Sequence, residues 1–177
     1  MSAEHAASEI SASVADWSRE RCGLFAWQPG RQLLRSIRWY QAVCQKPRWV
    51  RIVGKPVTIL LHRFWSVVSG ADIQLNSQIG GGLLLPHPNG VVIHPQATIG
   101  PNCLFFQQVT LGADLQGAIP VIGGHVDIGA GAKVIGGAHI GDHARIGANA
   151  VVLCDVPSGC SAVGVPARVI TKKGGNG

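Results

Sequence analysis

Across residues 122–152 the chain repeats every six residues, with Ile122, Ile128, Val134, Ile140, Ile146 and Val152 in one column. Two places before each stands Pro120, Val126, Ala132, Ala138, Ala144 or Ala150, and glycine directly follows most of them (Gly123, Gly129, Gly141, Gly147). A period of six matches neither the 3.6 of a helix nor the 2 of an isolated strand. It fits a coil with three flat faces, one hexad per face and about eighteen residues per turn. In such a coil the aliphatic residue points inward and the small residue fills the space beside it. Glycine supplies the backbone freedom that a corner demands. The pattern extends upstream through Ile73, Ile79 and Leu85, then through Ile93, Ile99, Phe105 and Leu111. Two surplus residues separate Leu85 from Ile93, and five separate Leu111 from Ile122. Surplus residues leave a solenoid as loops, and loops on a rigid scaffold are where chemistry concentrates. Residues 86–90 and 113–120 are therefore the first places to look for a site.

The composition breaks near Ser69 and Gly70: 21 of the 24 glycines lie from Gly70 onward, and all five tryptophans lie before it. This divides the chain into a helical, basic N-terminal region (1–69), a β-helix (70–170) and a flexible tail (171–177). Within the first region, helices are expected at 6–25, at 31–45 with Leu33, Leu34 and Ile37 at helical spacing, and at 57–68. Pro47 and the run Gly54-Lys55-Pro56 are read as breaks between them. Five cysteines without framework spacing point to reduced thiols in a cytoplasmic protein. The polar stretch 1–13 does not read as a signal peptide, and the longest apolar run, 57–68, is interrupted by His62 and Arg63 and too short to span a bilayer. The net charge is +6, with ten Lys and Arg between Arg19 and Arg63 against a single acid, Glu20. No nucleic-acid motif accompanies this basic region, so no nucleic-acid partner is expected. Trp27, Trp39, Trp49 and Trp65 are interleaved with the cations. Two readings remain open: a solvated helical face whose tryptophans pack on the coil or another subunit, or peripheral contact with the anionic inner face of a membrane.

Asp72 precedes the first inward residue, Ile73, and position 90 lies one coil of eighteen residues later, at the end of the first loop. The loop thus hangs beside Asp72, and His87 is placed to fold back onto it. A carboxylate bonded to one imidazole nitrogen leaves the other free as a base, able to take a proton from an alcohol attacking a carbonyl. Equally, His87 reads as a surface histidine held rigid by Pro86 and Pro88. His125 and His143, eighteen apart, should stack at one corner of adjacent coils, as half a metal site or as a solvated ladder. A third ligand has no obvious source, so no metal is expected. His94 reads as a reserve base or a polar corner residue, and Cys103, at a small inward position, as core packing.

The stretches Gly70-Ala71-Asp72-Ile73, Gly82-Leu83-Leu84-Leu85-Pro86-His87-Pro88-Asn89-Gly90-Val91-Val92 and Gln108-Val109-Thr110-Leu111-Gly112 resemble the serine acetyltransferase family of hexapeptide-repeat acyltransferases. Ile128-Gly129-Ala130-Gly131-Ala132-Lys133 and Gly164-Val165-Pro166-Ala167-Arg168 resemble it too. The resemblance implies a left-handed parallel β-helix, a departure from the usual right-handed crossover. It also implies a homotrimer with active sites between subunits, acetyl-CoA as donor, and a dyad of His87 and Asp72. By the same resemblance, a backbone amide near Gly112 faces the oxyanion, while Ala130, Gly131 and Ala148 line the pantetheine groove. Arg168, with Lys172 or Lys173, meets the nucleotide phosphates. Pro86 stands where the family has aspartate. The second loop reads Gln116-Gly117-Ala118-Ile119-Pro120, where the family has an arginine and a histidine that hold the serine carboxylate. The pattern Leu-Pro-His-Pro-Asn-Gly is closer to the branch associated with capsule and exopolysaccharide synthesis. The expected function is therefore acetyl-CoA-dependent O-acetyl transfer to a hydroxyl on a sugar of an exopolysaccharide or lipid-linked saccharide. L-serine O-acetylation is the alternative, and a non-catalytic or metal-binding scaffold the rival of another class.

Overall fold

The hexads build a three-faced parallel β-solenoid of short strands, β1 to β14 in chain order. The computed structural model describes residues 10–170. The tail expected at 171–177, with Lys172 and Lys173, lies outside the described residues, as does the start of the helix expected at 6–25. The first face carries β1 (Asp72–Ile73), β3 (Val92–Ile93), β6 (Thr110–Gly112), β9 (Lys133–Ile135) and β12 (Val151–Val152). The second carries β2 (Gln78–Ile79), β4 (Thr98–Ile99), β7 (Val121–Ile122) and β10 (His139–Ile140). The third carries β5 (Leu104–Phe105), β8 (Asp127–Ile128), β11 (Arg145–Ile146), β13 (Ser161–Gly164) and β14 (Ala167–Ile170), with Leu84 bridging to Leu104 below β5. Register within a face is set by the inward column: Ile73 pairs with Ile93, Ile93 with Leu111, Leu111 with Val134, and Val134 with Val152. These residues and the small residues two places before them are buried. Sliding one strand by a residue would turn its inward aliphatic to water, at a cost of about 1.5–3 kcal/mol per side chain.

The corners differ from the sequence expectation in one respect. The glycines directly after the inward residues do not take positive φ; the residue three places after the inward one does. Gly82, Asn102, His125 and His143 do so between the second and third faces, and Gln108, Gly131 and Asn149 between the third and first. Glycine is needed at the earlier place for a different reason, the close stacking of coils. A Cβ on Gly129 would lie 2.6 Å from the Ala148 nitrogen, and one on Gly123 2.5 Å from Asp142 Oδ1.

Upstream, two helices cover the base of the coil: α1 (Pro29–Cys44) and α2 (Arg48–Ser69). Leu33, Leu34 and Ile37 of α1 are buried in the same core as the lowest coil. The helices also satisfy carbonyls of that coil, which has no rung beneath it. Arg38 donates to the Ile79 and Gly80 carbonyls, and Gln41 to those of Leu75 and Ser77. Ser66 donates to Ala71, and His62 Nε2 lies 2.8 Å from the Ile73 carbonyl. α2 ends in a left-handed cap at Gly70. The expected break at Gly54-Lys55-Pro56 does not occur, and α2 runs straight through Pro56. Pro56 lies on the exposed side, where water can meet the carbonyl its missing N–H leaves free. Gly54 sits against α1, where a Cβ would come within 2.9 Å of Val43.

The helix expected at 6–25 is also absent over its described part, which holds only a 3-10 turn, Trp17–Glu20, capped by Asp16. Residues 11–20 instead form an irregular strap along the corner between the second and third faces. Asn102 donates to the Ser11 and Val14 carbonyls and accepts from the Asp16 N–H. The strap needs bare corners: a Cβ on Gly124 would overlap the Ala12 carbonyl, and one on Gly81 would lie 2.7 Å from the Trp17 ring. Glu20 fastens its end, accepting from the Gly82 and Leu83 amides and from Arg38 at 2.9 Å. Those partners lie far along the chain, and they outweigh local helix propensity.

Candidate active site

The two surplus loops flank the first face on opposite sides. Residues 86–90 bulge from the corner before β1 and β3, and residues 113–120 from the corner after β6. The first loop closes against the base of the coil, with the Gly90 N–H donating to the Gly70 carbonyl at 2.8 Å and the Val91 N–H to that of Pro88. Asp72 follows Gly70 by two residues at the near edge of the first face. Both Asp72 and His87 are exposed, and among the described residues they make no hydrogen bond to each other. The structure thus brings the loop over the edge that carries Asp72 without forming the dyad bond in a single chain.

His87 occupies a defined place in the repeat. Two residues after each inward residue of the third face come His87 (after Leu85), Gln107 (after Phe105), Ala130 (after Ile128) and Ala148 (after Ile146). Backbone bonds between successive coils stitch this corner together: Gln108 N–H to Asn89, Gly131 N–H to Gln107, and Asn149 N–H to Ala130. Arg168 tops the column. It pairs with Val163 on the closing hairpin, and a Cβ on Gly147, beside Ala148, would lie 2.8 Å from the Val163 side chain. From the coil of His87 to that of Val163 are four steps, about 19 Å at the usual strand spacing, and the strand of Arg168 lies one step beyond. His87, Ala130, Gly131, Ala148 and Arg168 therefore share one edge, with an imidazole at one end and a guanidinium at the other. Small residues in the middle leave that edge open. Gln107, which sequence reasoning missed, adds a buried side-chain oxygen without a hydrogen-bond partner. An unpaired buried acceptor is costly, and a ligand N–H in the groove would relieve it.

Gly112 is not on this edge. It ends β6 at the far side of the first face, where its carbonyl accepts from Gly136 and the second loop departs. In that loop Asp114 caps the Gln116 and Ala118 amides. Asp114 also lines a cleft of about 270 Å³ with Gly136, Leu153 and Asp155. His94 lies on the same side, its Nδ1 accepting from the Gln96 N–H, which makes it a polar corner residue.

A cation does reach the neighbourhood of His87, from a part of the chain that loop spacing cannot reveal. A cleft of about 320 Å³ is lined by Trp27, Gln28, Pro29, Arg31, Leu85 and Pro86, with Pro86 the immediate neighbour of His87. Arg31 Nη1 donates to the Arg21 carbonyl and to Gln28, while its Nε and Nη2 make no bond to the described residues. α1 can come this close because Gly30 packs on the Leu85 backbone, where a Cβ would overlap the carbonyl.

The remaining candidates stand apart from this edge. His125 and His143 stack as the spacing predicts, with their Nδ1 atoms 2.8 Å apart. Burial holds the His125 imidazole below the usual histidine range, with the His143 charge adding to the effect while Asp127 opposes it. No group of three metal-binding side chains exists among the described residues. Cys103 is fully buried, its Sγ 3.2 Å from the Gly123 carbonyl, and burial pushes its thiol up to about 12; it is a core residue. A wider cleft, about 690 Å³, opens in the helical region between Trp17, Arg35, Arg38 and Trp39. Arg38 there is committed to Glu20 and to backbone carbonyls, and the cleft holds none of the groups on the His87 edge.

Comparison with known proteins bears on this geometry. The chain is 39% identical over 151 residues to a serine acetyltransferase of Synechococcus elongatus, covering 82% of this chain and 62% of that protein. It is 45% identical over 108 residues to one from Helicobacter pylori, covering 59% and 63% respectively. No protein-family model matches. Among solved structures, a serine acetyltransferase in complex with CoA aligns with a TM-score of 0.68 at 33% identity, over 83% of this chain and 58% of that one. A soybean serine acetyltransferase complexed with serine aligns with a TM-score of 0.68 at 36% identity, over 80% and 57%. The chain spans about three fifths of the length of the curated relatives it matches, and its solenoid aligns with those of solved serine acetyltransferases.

Proposed function

We propose that this chain is an acetyl-CoA-dependent O-acetyltransferase of the serine acetyltransferase type, with L-serine as the acceptor its relatives favour. The observation that carries the reading is the edge from His87 to Arg168. A small acceptor cannot occupy about 19 Å of groove, whereas an extended co-substrate can, with its thioester at the imidazole and its phosphates at the guanidinium. In this reading His87 takes the proton from the acceptor hydroxyl as its oxygen attacks the thioester carbonyl. The C–S bond then breaks, and the departing thiolate recovers the proton from the imidazolium. Asp72 orients His87 and stabilises its charged form once the acceptor site is assembled. A backbone amide at Gly112 holds the oxyanion. Gly112 and the second loop lie across the first face from His87, so a neighbouring subunit has to supply them. The assembly that fits is a homotrimer with each site shared between two chains.

Arg31 supports serine as the acceptor. The second loop, with Gln116, Ala118 and Ile119, offers no cation for a carboxylate, and no Lys or Arg lies between Arg63 and Lys133. Arg31 reaches the His87 loop from α1 and has free donors. A second loop without a cation is also what a sugar hydroxyl would tolerate, which keeps the exopolysaccharide branch as a second reading. Thiol release from acetyl-CoA, measured with L-serine and with a panel of neutral saccharides, separates the two. With serine as substrate, Arg31→Gln should raise the serine KM by about tenfold or more, the loss of a charge-assisted hydrogen bond of roughly 1.5–3 kcal/mol. The KM for acetyl-CoA should stay unchanged. Brisk turnover of a saccharide with none of serine would transfer the assignment to the second reading.

A further inference from the structure

The outward side of α2 is apolar along its whole length. Trp49, Ile52, Val53, Val57, Leu60, Phe64 and Val67 follow one another at spacings of one, three and four residues, and each is more than half exposed. Its opposite side is spent on α1 and the coil, so this second stripe has no partner within the described residues. The stripe continues onto the loop before α1, where Leu24 and Phe25 border Leu61, Phe64 and Trp65. Phe25 is 100% exposed. An apolar strip of this extent is larger than an isolated surface leaves to water.

The charge beside the strip indicates what covers it. Arg48, Arg51 and Lys55 flank its N-terminal half and, with Ile52, enclose a cleft of about 360 Å³, while Arg63 stands within the strip itself. The chain has no Asp or Glu between Glu20 and Asp72, and Glu20 is committed to Arg38. Packing this face on its own copy would crowd eight arginine and lysine charges into one contact without a carboxylate, a costly arrangement. A basic amphipathic helix with tryptophan and phenylalanine on its apolar side matches a lipid interface instead. Among the described residues no helix is long and apolar enough to cross a membrane, and the contact this stripe fits is along the surface. We propose that α2 lies on an anionic bilayer, with Trp49, Val53, Leu60 and Val67 in the acyl boundary and Arg48, Arg51 and Lys55 on the headgroup phosphates. This rests on the helical region alone and holds whether or not the chain transfers acetyl groups.

Co-sedimentation of the full chain with vesicles tests it. Binding is expected to vesicles of equal parts phosphatidylcholine and phosphatidylglycerol, with a blue shift of tryptophan emission, and to fall as salt rises. Vesicles of phosphatidylcholine alone should bind weakly. Arg48→Glu with Arg51→Glu, and separately Val53→Glu with Leu60→Glu, should each reduce binding roughly tenfold or more. All four positions are exposed, and circular dichroism checks that the fold persists. A full chain that stays in solution with anionic vesicles at low salt overturns the proposal. So does a wild-type assembly that ignores vesicles and dissociates in the Val53→Glu, Leu60→Glu variant, which would assign the face to a second copy.

Discussion

Replacing Glu20 with alanine should loosen the helical region from the coil. One Glu20 oxygen accepts from the Gly82 and Leu83 amides and, at 2.9 Å, from Arg38, while the other accepts from Arg38 Nε at 3.2 Å. The two side chains are 8% and 19% exposed, Glu20 the less, so the pair is largely removed from water. Truncating one member of such a pair costs about 3–5 kcal/mol, because the surviving charge is stranded. The bonds to Gly82 and Leu83 are part of that same loss and are not added to it. The residual exposure of Arg38, which also keeps the Ile79 and Gly80 carbonyls, favours the lower end, about 3 kcal/mol. Against a total of about 5–15 kcal/mol for a domain, that is a large fraction. In urea, with a slope of roughly 2–3 kcal/mol/M for a chain of this size, the midpoint should fall by about 1–1.5 M at unchanged slope. Protomer concentration must be held constant, since any assembly adds to the apparent stability. Arg38→Met in both backgrounds completes a double-mutant cycle, with an expected coupling of about 1.5 kcal/mol or more. A Glu20→Ala loss under about 1 kcal/mol, with no coupling, would mean that the pair behaves as a solvated surface contact and that something else holds the strap.

Two further outcomes test the site and the histidine ladder. His87→Ala should lower turnover about 10²–10⁴-fold while acetyl-CoA still binds, and Asp72→Asn should cost less, because the base remains. Near-normal turnover by His87→Ala, measured by thiol release, would remove His87 as the base. The bond between His125 and His143 requires one donor and one acceptor, and the lowered pKa of His125 favours its neutral form. Because the folded chain holds His125 below its unfolded value, the folded state binds fewer protons there. Its contribution is present above about pH 6.5 and is lost as the pH falls through the lowered value. Burial is the largest cause of the shift; the charges of His143, Arg19 and Arg145 add to it and Asp127 opposes it. His125→Asn, which tolerates the positive φ at this corner, should flatten the acid side of the stability profile. An unchanged acid slope in urea titrations would refute the assignment.

The inward columns were legible because a six-residue period constrains every third face at once. A residue such as Phe105 or Ile128 has only one place to go. The surplus-residue count located both loops for the same reason. What escaped was non-local. The strap at 11–20 reads as helix-compatible, and only the bare corners at Gly81, Gly82 and Gly124, together with Asn102, draw it onto the coil instead. Pro56 reads as a break, yet it costs α2 little because its side of the helix faces water. Arg31 sits more than fifty positions before His87 and reaches the loop only because Gly30 lets α1 touch the Leu85 backbone. Its one sequence trace is the Pro-Gly pair before a helix, which says where the helix starts and nothing of what it meets. Gln107 was open to discovery by counting two places beyond Phe105, as His87 stands beyond Leu85.

A parallel solenoid is in principle endless, since each rung offers the next an unfilled row of amides and carbonyls, the template on which fibrils elongate. This chain closes the base and obstructs one face at the top. At the base, Arg38, Gln41, His62 and Ser66 occupy the carbonyls that another rung would use. At the top, β14 runs antiparallel to β13 and spoils the parallel register on the third face. The helical region therefore also works as an end-stop against polymerisation. Shortening the chain to the solenoid alone would expose a growth point, and its first symptom would be filaments rather than unfolding.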